Sequence, residues 1–320
     1  MRFRQLTPKI SQIEIDNPKT KNNKVRWVNV CNAGKDEIEY LRKKYKFDLA
    51  HLRSSLAHKT TNRPVVEKGA DYLFIILHFP TVLYNTIYPG EIEFFVGHGF
   101  LITIHNNNVG VLNDFYNLCK KDGASTLTYQ YESSAVLLYE LLERLLNSCF
   151  PLLDKTADDI SNLEEIIFEK VEKESIFKLL ELRRNILNFR KIMQNHKHIL
   201  RKLMEMESSL VPANQIRGYY KKLIDGSVRI WEILENQKEM IMIYDTTYES
   251  LMNYRLSDIM KTLTIFSVII FPLTLFATVF SMNLNGMPLA SHPQGFWIII
   301  ALMLFGSIGM LLFFEKKKWL

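Results

Sequence analysis

A stripe of hydroxyl side chains follows one face of an apolar helical segment near the carboxyl end of the sequence. Alternating steps of three and four place on it Ser257, Met260, Thr264, Ser267, Phe271, Thr274, Thr278 and Ser281. Six of these eight residues are serine or threonine, whereas the opposite face carries apolar residues such as Val268, Leu275 and Phe276. Residues at this spacing share one helix face. Several copies around an axis would line a pore with hydroxyls, and Met260 and Phe271 would form apolar constrictions that gate by dewetting.

A second interpretation of the stripe is structural. Serine and threonine in apolar helices also bond back to their own backbone or pack against neighbouring helices. The residues alone leave both interpretations open. Because one such helix per chain cannot enclose a pore, the first interpretation requires several copies of the chain.

Two segments are long and apolar enough to cross a bilayer, at residues 262–281 and 296–314. Between Lys261 and Glu315 the sequence has no Asp, Glu, Lys or Arg. A spanning helix needs ~20 mainly apolar residues. The intervening residues 282–295 contain two prolines and two glycines, which is typical of a loop. A buried helical hairpin of a soluble protein would keep a polar face, so we predict two membrane crossings.

Basic residues flank the two spans on one side only. Arg255 and Lys261 precede the first span, residues 316–318 are all lysine, and the loop has neither Lys nor Arg. Positive residues favour the cytoplasmic side. We therefore expect a multi-pass protein of the cell (plasma or inner) membrane with both termini cytoplasmic, the loop outside and lipid around the spans.

The overall charge does not indicate a nucleic-acid partner. The net charge is +6, from 40 Lys and Arg against 34 Asp and Glu. The two signs are mixed along helical segments, which is typical of a solvated helix surface. The sequence also lacks GxGxxG, GxxxxGK[ST], HExxH and GxSxG motifs. We therefore expect neither nucleic-acid binding nor an enzyme.

The residues before the first span divide into two parts. Residues 1–130 alternate strand-like and helical patterns and predict a cytoplasmic α/β domain on a small mixed sheet. Its strands are expected at 24–30, 71–79 (ending at Pro80), 91–96 and 100–105, with helices at 35–45 and 109–121. The next part, 131–261, predicts a helical bundle and stalk.

Long helices are expected at 129–172, 174–207 and 213–281, the last running into the first span. A basic tail, 315–320, ends the chain. The predicted fold is thus an α+β membrane protein with an N-terminal cytoplasmic α/β domain, a helical stalk and two C-terminal transmembrane helices.

The end of the first span carries a recognisable motif. Phe280-Ser281-Met282-Asn283 resembles the aromatic-Gly-Met-Asn signature of the CorA family of magnesium transporters. The resemblance continues through residues 254–265, Phe271-Pro272-Leu273-Thr274, Met287-Pro288 in the loop and the strand at 100–105. With the two spans, the stalk and the basic tail, it covers most of the chain.

The resemblance implies a homopentameric channel whose cytoplasmic domains form a funnel. Mg²⁺, and also Co²⁺ or Ni²⁺, would enter down the membrane potential. Asn283 would form a selectivity ring with Met282 and Ser281, and would contact Mg²⁺ through its hydrating waters. This suits an ion that sheds water reluctantly. The resemblance also implies a second polar ring at Thr274, with Met260, Leu263 and Phe271 as narrowings below it. Together with the stripe residues Ser257, Thr264 and Ser267, these are the candidate pore-lining residues.

Three features depart from the family pattern. Ser281 stands where the family has glycine, and the loop after Asn283 has no acidic residue that would attract cations. After Tyr219-Tyr220 the chain continues with Lys221-Lys222, and Asp225 is the first acid. We therefore expect a regulatory Mg²⁺ site between neighbouring cytoplasmic domains to be displaced or absent. Its candidate ligands are Asp158, Asp159, Asp225 and Asp245, although a solvated helix surface also explains each.

Two alternatives remain at this point. One is the zinc-transporting branch of the same superfamily, which usually departs from Gly-Met-Asn at the methionine that this chain retains as Met282. The other is a membrane-tethered coiled-coil signalling or scaffold protein without transport, for which Asn283 would be dispensable.

Overall fold

The structure is a computed structural model that describes residues 2–16, 24–56, 62–121, 133–169, 173–206, 213–282, 293–317 and 319. The chain forms two compact units, Met1–Tyr244 and Asp245–Leu320. The first unit contains the sheet and most of the helices, and the second contains the apolar carboxyl-terminal segments.

A mixed sheet of seven strands lies in the described part of the first unit, in the order β1-β2-β3-β7-β6-β5-β4. Its strands are β1 Arg2–Gln5, β2 Ile10–Asp16, β3 Lys24–Cys31, β4 Val65–Lys68, β5 Tyr72–Leu83, β6 Thr86–Gly97 and β7 Phe100–His105. Only β3 and β7 pair in parallel, and the other neighbours are antiparallel. The predicted mixed sheet and the hairpin at 91–105 are confirmed.

The strand predicted at 71–79 was expected to end at Pro80, and that boundary is wrong. β5 continues to Leu83, with Pro80 opposite Pro89 of β6. Both prolines lie beyond the stretches that pair with β4 and β7. The missing N–H of each proline therefore costs no hydrogen bond to β4 or β7. Strands tolerate proline at such edge positions.

The helices are α1 Lys35–Tyr45, α2 Leu49–Ser54, α3 Gly110–Lys121, α4 Ser134–Asn147, α5 Cys149–Glu169, α6 Lys173–Met193, α7 His196–Glu205, α8 Ala213–Ser281 and α9 Gly295–Lys316. The helix expected at 129–172 is divided at Ser148. Pro151, in the first turn of α5, has no N–H to continue the helix from α4. The helix expected at 174–207 is also divided, and Asn195, a residue type favoured at helix starts, is the N-cap of α7.

Apolar residues cover both faces of the sheet. One face buries Trp27, Leu73 and Phe94 against the helices that follow the sheet. The other buries Val28 and Phe74, with Leu41 of α1 and Leu52 of α2. Trp27 donates its ring N–H to Thr103 Oγ1 at 3.1 Å, which satisfies the polar atom of the largest buried side chain.

Among the described residues, two helices are long and apolar enough to cross a membrane by length and composition. They are the carboxyl-terminal part of α8 and the whole of α9. The 69-residue α8 is one continuous helix with the bounds predicted from the sequence.

Candidate ion pathway

The hydroxyl stripe lies on α8 and is open to its surroundings. Phe271, Leu263 and Met260 are 74%, 59% and 55% exposed, and Ser257, Thr264, Ser267 and Thr274 are also exposed. The apolar residues Leu275 and Phe276 of the opposite face are exposed as well. Most residues of both faces are exposed within one chain, whereas Ile265 is buried.

Four hydroxyls of the stripe donate to carbonyl oxygens of the preceding turn. These bonds are Thr264 to Met260 at 2.7 Å, Ser267 to Leu263 at 2.8 Å, Thr274 to Ile270 at 2.8 Å and Thr278 to Leu275 at 2.9 Å. A hydroxyl that donates still has two lone pairs that accept hydrogen bonds. The waters around a cation point their hydrogens outward, so back-bonded hydroxyls can still receive a hydrated ion.

Pro272 lies inside α8, between Phe271 and Thr274 on the stripe. Its nitrogen has no hydrogen, so the carbonyl of Val268 lacks the donor that normally closes that turn. This missing hydrogen bond makes the helix easier to bend near Phe271, which is the larger apolar side chain of the proposed constriction.

The outer end of the stripe coincides with the end of the helix. Ser281 is the last residue of α8, and the Met282 N–H donates to the carbonyl of Val279 at 3.2 Å. Met282 is exposed. Asn283 lies outside the described residues, so its place in a selectivity ring stays a prediction.

The candidate regulatory acids are not gathered in one chain. Asp158 and Asp225 are exposed, and Asp159 and Asp245 are half-buried. Within the described ranges, no group of three or more His, Cys, Asp or Glu side chains is arranged to hold a metal ion. A site built from these acids would need ligands from a neighbouring chain.

A side-chain hydrogen bond connects α5 and α8 close to these acids in sequence. The Tyr244 hydroxyl donates to Glu164 Oε2 at 2.7 Å. Desolvation and this bond raise the pKa of Tyr244 to about 12, so it stays a neutral donor at physiological pH. Glu164 is therefore partly satisfied within its own chain.

A buried polar cluster in the first unit was not foreseen from the sequence. Glu93 is 2% exposed and accepts a hydrogen bond from the Ser55 hydroxyl. Burial raises the pKa of Glu93 to about 8, and the nearby Glu91 carboxylate adds to the shift. Glu91 itself accepts bonds from the Asn62 backbone and side chain, both at 2.8 Å, and lies 3.1 Å from His78 Nε2. These partners are far apart in sequence, so no local pattern marks them.

A family profile and individual relatives that resemble this chain carry similar descriptions. The sequence profile of a family described as "CorA-like Mg2+ transporter protein" matches residues 22–317. A cobalt/magnesium transport protein CorA of Thermotoga maritima is 30% identical over 184 residues, which are 58% of this chain and 52% of that protein. A protein of the same description from Methanocaldococcus jannaschii is 24% identical over 98% of this chain and 95% of its own length.

A solved structure has the same fold. The complete structure of the CorA magnesium transporter from Methanocaldococcus jannaschii superposes with a TM-score of 0.84 at 20% sequence identity. The match covers 99% of this chain and 100% of that chain. The sheet domain, the long helix and the two apolar helices therefore occur together in both proteins.

Proposed function

The chain belongs to the family of CorA-like Mg²⁺ transporter proteins, and on that premise we propose that it carries divalent cations, Mg²⁺ first among them, across a membrane. The family is one of transporters, which agrees with the expectation that the chain is not an enzyme. Co²⁺ and Ni²⁺ are the other cations to consider, and Co²⁺ is named in the descriptions of both relatives.

The observation that carries the proposal is the exposed hydroxyl stripe on the apolar carboxyl-terminal part of the continuous α8. Mg²⁺ keeps several waters when it binds to proteins. Thr264, Ser267 and Thr274 would accept hydrogen bonds from those waters without stripping the ion. Met260, Leu263 and Phe271 would narrow the path and close it by dewetting.

The outer mouth would be formed by Asn283, with Met282 and Ser281 beside it. A ring of neutral amide oxygens holds a hydrated cation less strongly than a ring of carboxylates would. This matters because a conducted ion must also leave. Ser281 adds a side chain where the family has glycine, and so it would affect how Asn283 is presented.

Each chain contributes one helix to the proposed pore, so several chains must assemble to enclose it. We propose five copies, as the family resemblance implies, with α8 next to the axis and α9 towards lipid. Both termini would be cytoplasmic, in the plasma or inner membrane. The inside-negative potential would drive entry with ~4.6 kcal/mol for two charges per 100 mV.

The proposed domain boundaries follow this arrangement. Residues 1–130 and 131–261 would form the cytoplasmic domain and stalk, 262–281 and 296–314 the two spans, 282–295 the outer loop and 315–320 the tail. Regulatory Mg²⁺ would bind between neighbouring chains through acids among Asp158, Asp159, Asp225 and Asp245.

The test is ion flux into proteoliposomes that contain the purified full-length chain. Mg²⁺ uptake should rise when an inside-negative potential is imposed and should be absent from protein-free vesicles. Co²⁺ and Zn²⁺ measured in the same vesicles rank the cargo. A well-folded protein that moves none of the three ions would overturn the proposal and favour a membrane tether.

A further inference from the structure

A cavity of about 780 Å³ lies in the first unit, away from the residues of the proposed ion pathway. It is bordered by β5, β6, the end of α6, the start of α7 and residues 62–64. Sites for small molecules are typically clefts of roughly 300–1,000 Å³. The cavity is therefore large enough for a metabolite-sized ligand.

The lining of this cavity carries basic side chains, one of which, His78, lies 3.1 Å from the Glu91 carboxylate. Arg63 and Lys191 line it together with His78 and His198, and no Asp or Glu is among its described lining residues. Within the described part of the chain, neither Arg63 nor Lys191 forms an ion pair. An open cavity with uncompensated cations attracts anions.

A second, smaller cavity provides an internal comparison. Its volume is about 270 Å³, and Lys155 and Lys178 in its lining are balanced by Asp159 and Glu181. The larger cavity thus differs from the smaller one in its excess of basic side chains.

Part-buried hydrogen bonds hold the segments that carry the cationic residues. Asn62 donates to both oxygens of Glu91 at 2.8 Å, which fixes the residue that precedes Arg63. Asn185 and Asn188 of α6 bond the backbone N–H and carbonyl of Ile87 at 3.1 and 3.0 Å. Lys191 follows one turn after Asn188, so α6 presents it from a position anchored on β6.

Two further features suit a phosphate-bearing ligand. Asn195 is the N-cap of α7 but its side chain makes no capping hydrogen bond, and both Asn195 and His198 border the cavity. The amino end of a helix adds partial positive charge and free N–H groups. Tyr88, which is 48% exposed, also lines the cavity and offers an aromatic face to a ligand.

We propose that this cavity binds a phosphate-bearing small molecule, with Arg63 and Lys191 contacting the phosphate. The guanidinium of Arg63 provides paired donors that match phosphate oxygens, and Lys191 adds a point charge. The inference stands independently of ion transport, because no residue of the ion pathway takes part in it.

The test is calorimetric titration of the full-length protein in detergent with ADP and, separately, with inorganic phosphate. Mg²⁺ is left out because ADP chelates it. The variants are Arg63→Gln and Lys191→Glu, and the matched control is Lys155→Glu in the balanced cavity. All three side chains are exposed, so thermal unfolding should match wild type and confirm that each variant is folded.

Saturable binding that weakens at least tenfold in Arg63→Gln and Lys191→Glu, but not in Lys155→Glu, is the expected result. ADP binding tighter than phosphate would identify a nucleotide-like ligand, and equal binding would identify the phosphate group alone. No saturation with either compound, or equal weakening in all three variants, would overturn the proposal.

Discussion

The Thr274 hydroxyl donates a 2.8 Å hydrogen bond to the carbonyl oxygen of Ile270, across the turn of α8 that contains Pro272. This bond fixes the hydroxyl oxygen on the helix surface while its lone pairs stay available. The same geometry is consistent with packing between helices and with contact to a hydrated ion. Substitutions at Thr274 distinguish the two interpretations.

Replacing Thr274 with valine keeps the shape of the side chain and removes the acceptor. If Thr274 contacts hydrated Mg²⁺, Thr274→Val should lower Mg²⁺ uptake by severalfold in proteoliposomes, and Thr274→Ser should stay near wild type. A purely packing role reverses the order, because valine fills the space and serine does not. Equal activity of both variants would remove Thr274 from the ion path.

Phe271 is the larger apolar side chain on the stripe and is 74% exposed in the single chain. Shortening it should widen the constriction and make dewetting less favourable, so Phe271→Ala should raise Mg²⁺ uptake severalfold. Phe276→Ala, on the opposite face, is the matched control and should leave uptake unchanged. Similar effects of both substitutions would indicate a general loosening of the helix, not a gate.

The buried Glu93 predicts a pH-dependent stability difference. Its pKa is about 8 in the folded chain, against ~4.3 for an unfolded glutamate. The folded state thus keeps a proton that the unfolded state releases. The stability from this group is complete below the unfolded pKa and is lost as pH rises through about 8.

Glu93→Gln cannot ionise and still accepts the Ser55 hydrogen bond. Relative to wild type, this variant should therefore gain thermal stability steadily between pH 5 and pH 8.5. Thermal unfolding of the full-length protein in detergent at several pH values measures the gain. Glu39→Gln, at an exposed carboxylate on α1, should show a flat difference. A flat difference for Glu93→Gln would mean that Glu93 ionises normally.

Elements with strong periodic patterns were predictable from the sequence. The bounds of α8 and α1 match the expectation because apolar spacing marks them along the whole length. The division at Ser148 depends on one proline in the first turn of α5, a single residue within helical spacing that continues on both sides of it. The continuation of β5 through Pro80 was not predictable, since it depends on which neighbouring strands stop before that point.

The candidate site and the buried polar cluster were likewise predictable only in part. The stripe from Ser257 to Ser281 could be read from spacing, because its members share one helix. The bonds from Asn62 and Ser55 to Glu91 and Glu93 join residues about 30 to 40 positions apart. Only the paired strands and the α2 segment bring those residues together, so no local pattern could reveal them.

The most direct test of ion selection at Asn283 is Mg²⁺ uptake under an inside-negative potential for wild type, Asn283→Ala and the neighbouring control Asn285→Ala. If Asn283 forms the selectivity ring, Asn283→Ala should abolish uptake, whereas Asn285→Ala should retain it. Wild-type uptake that persists in Asn283→Ala would contradict a selectivity ring at this residue.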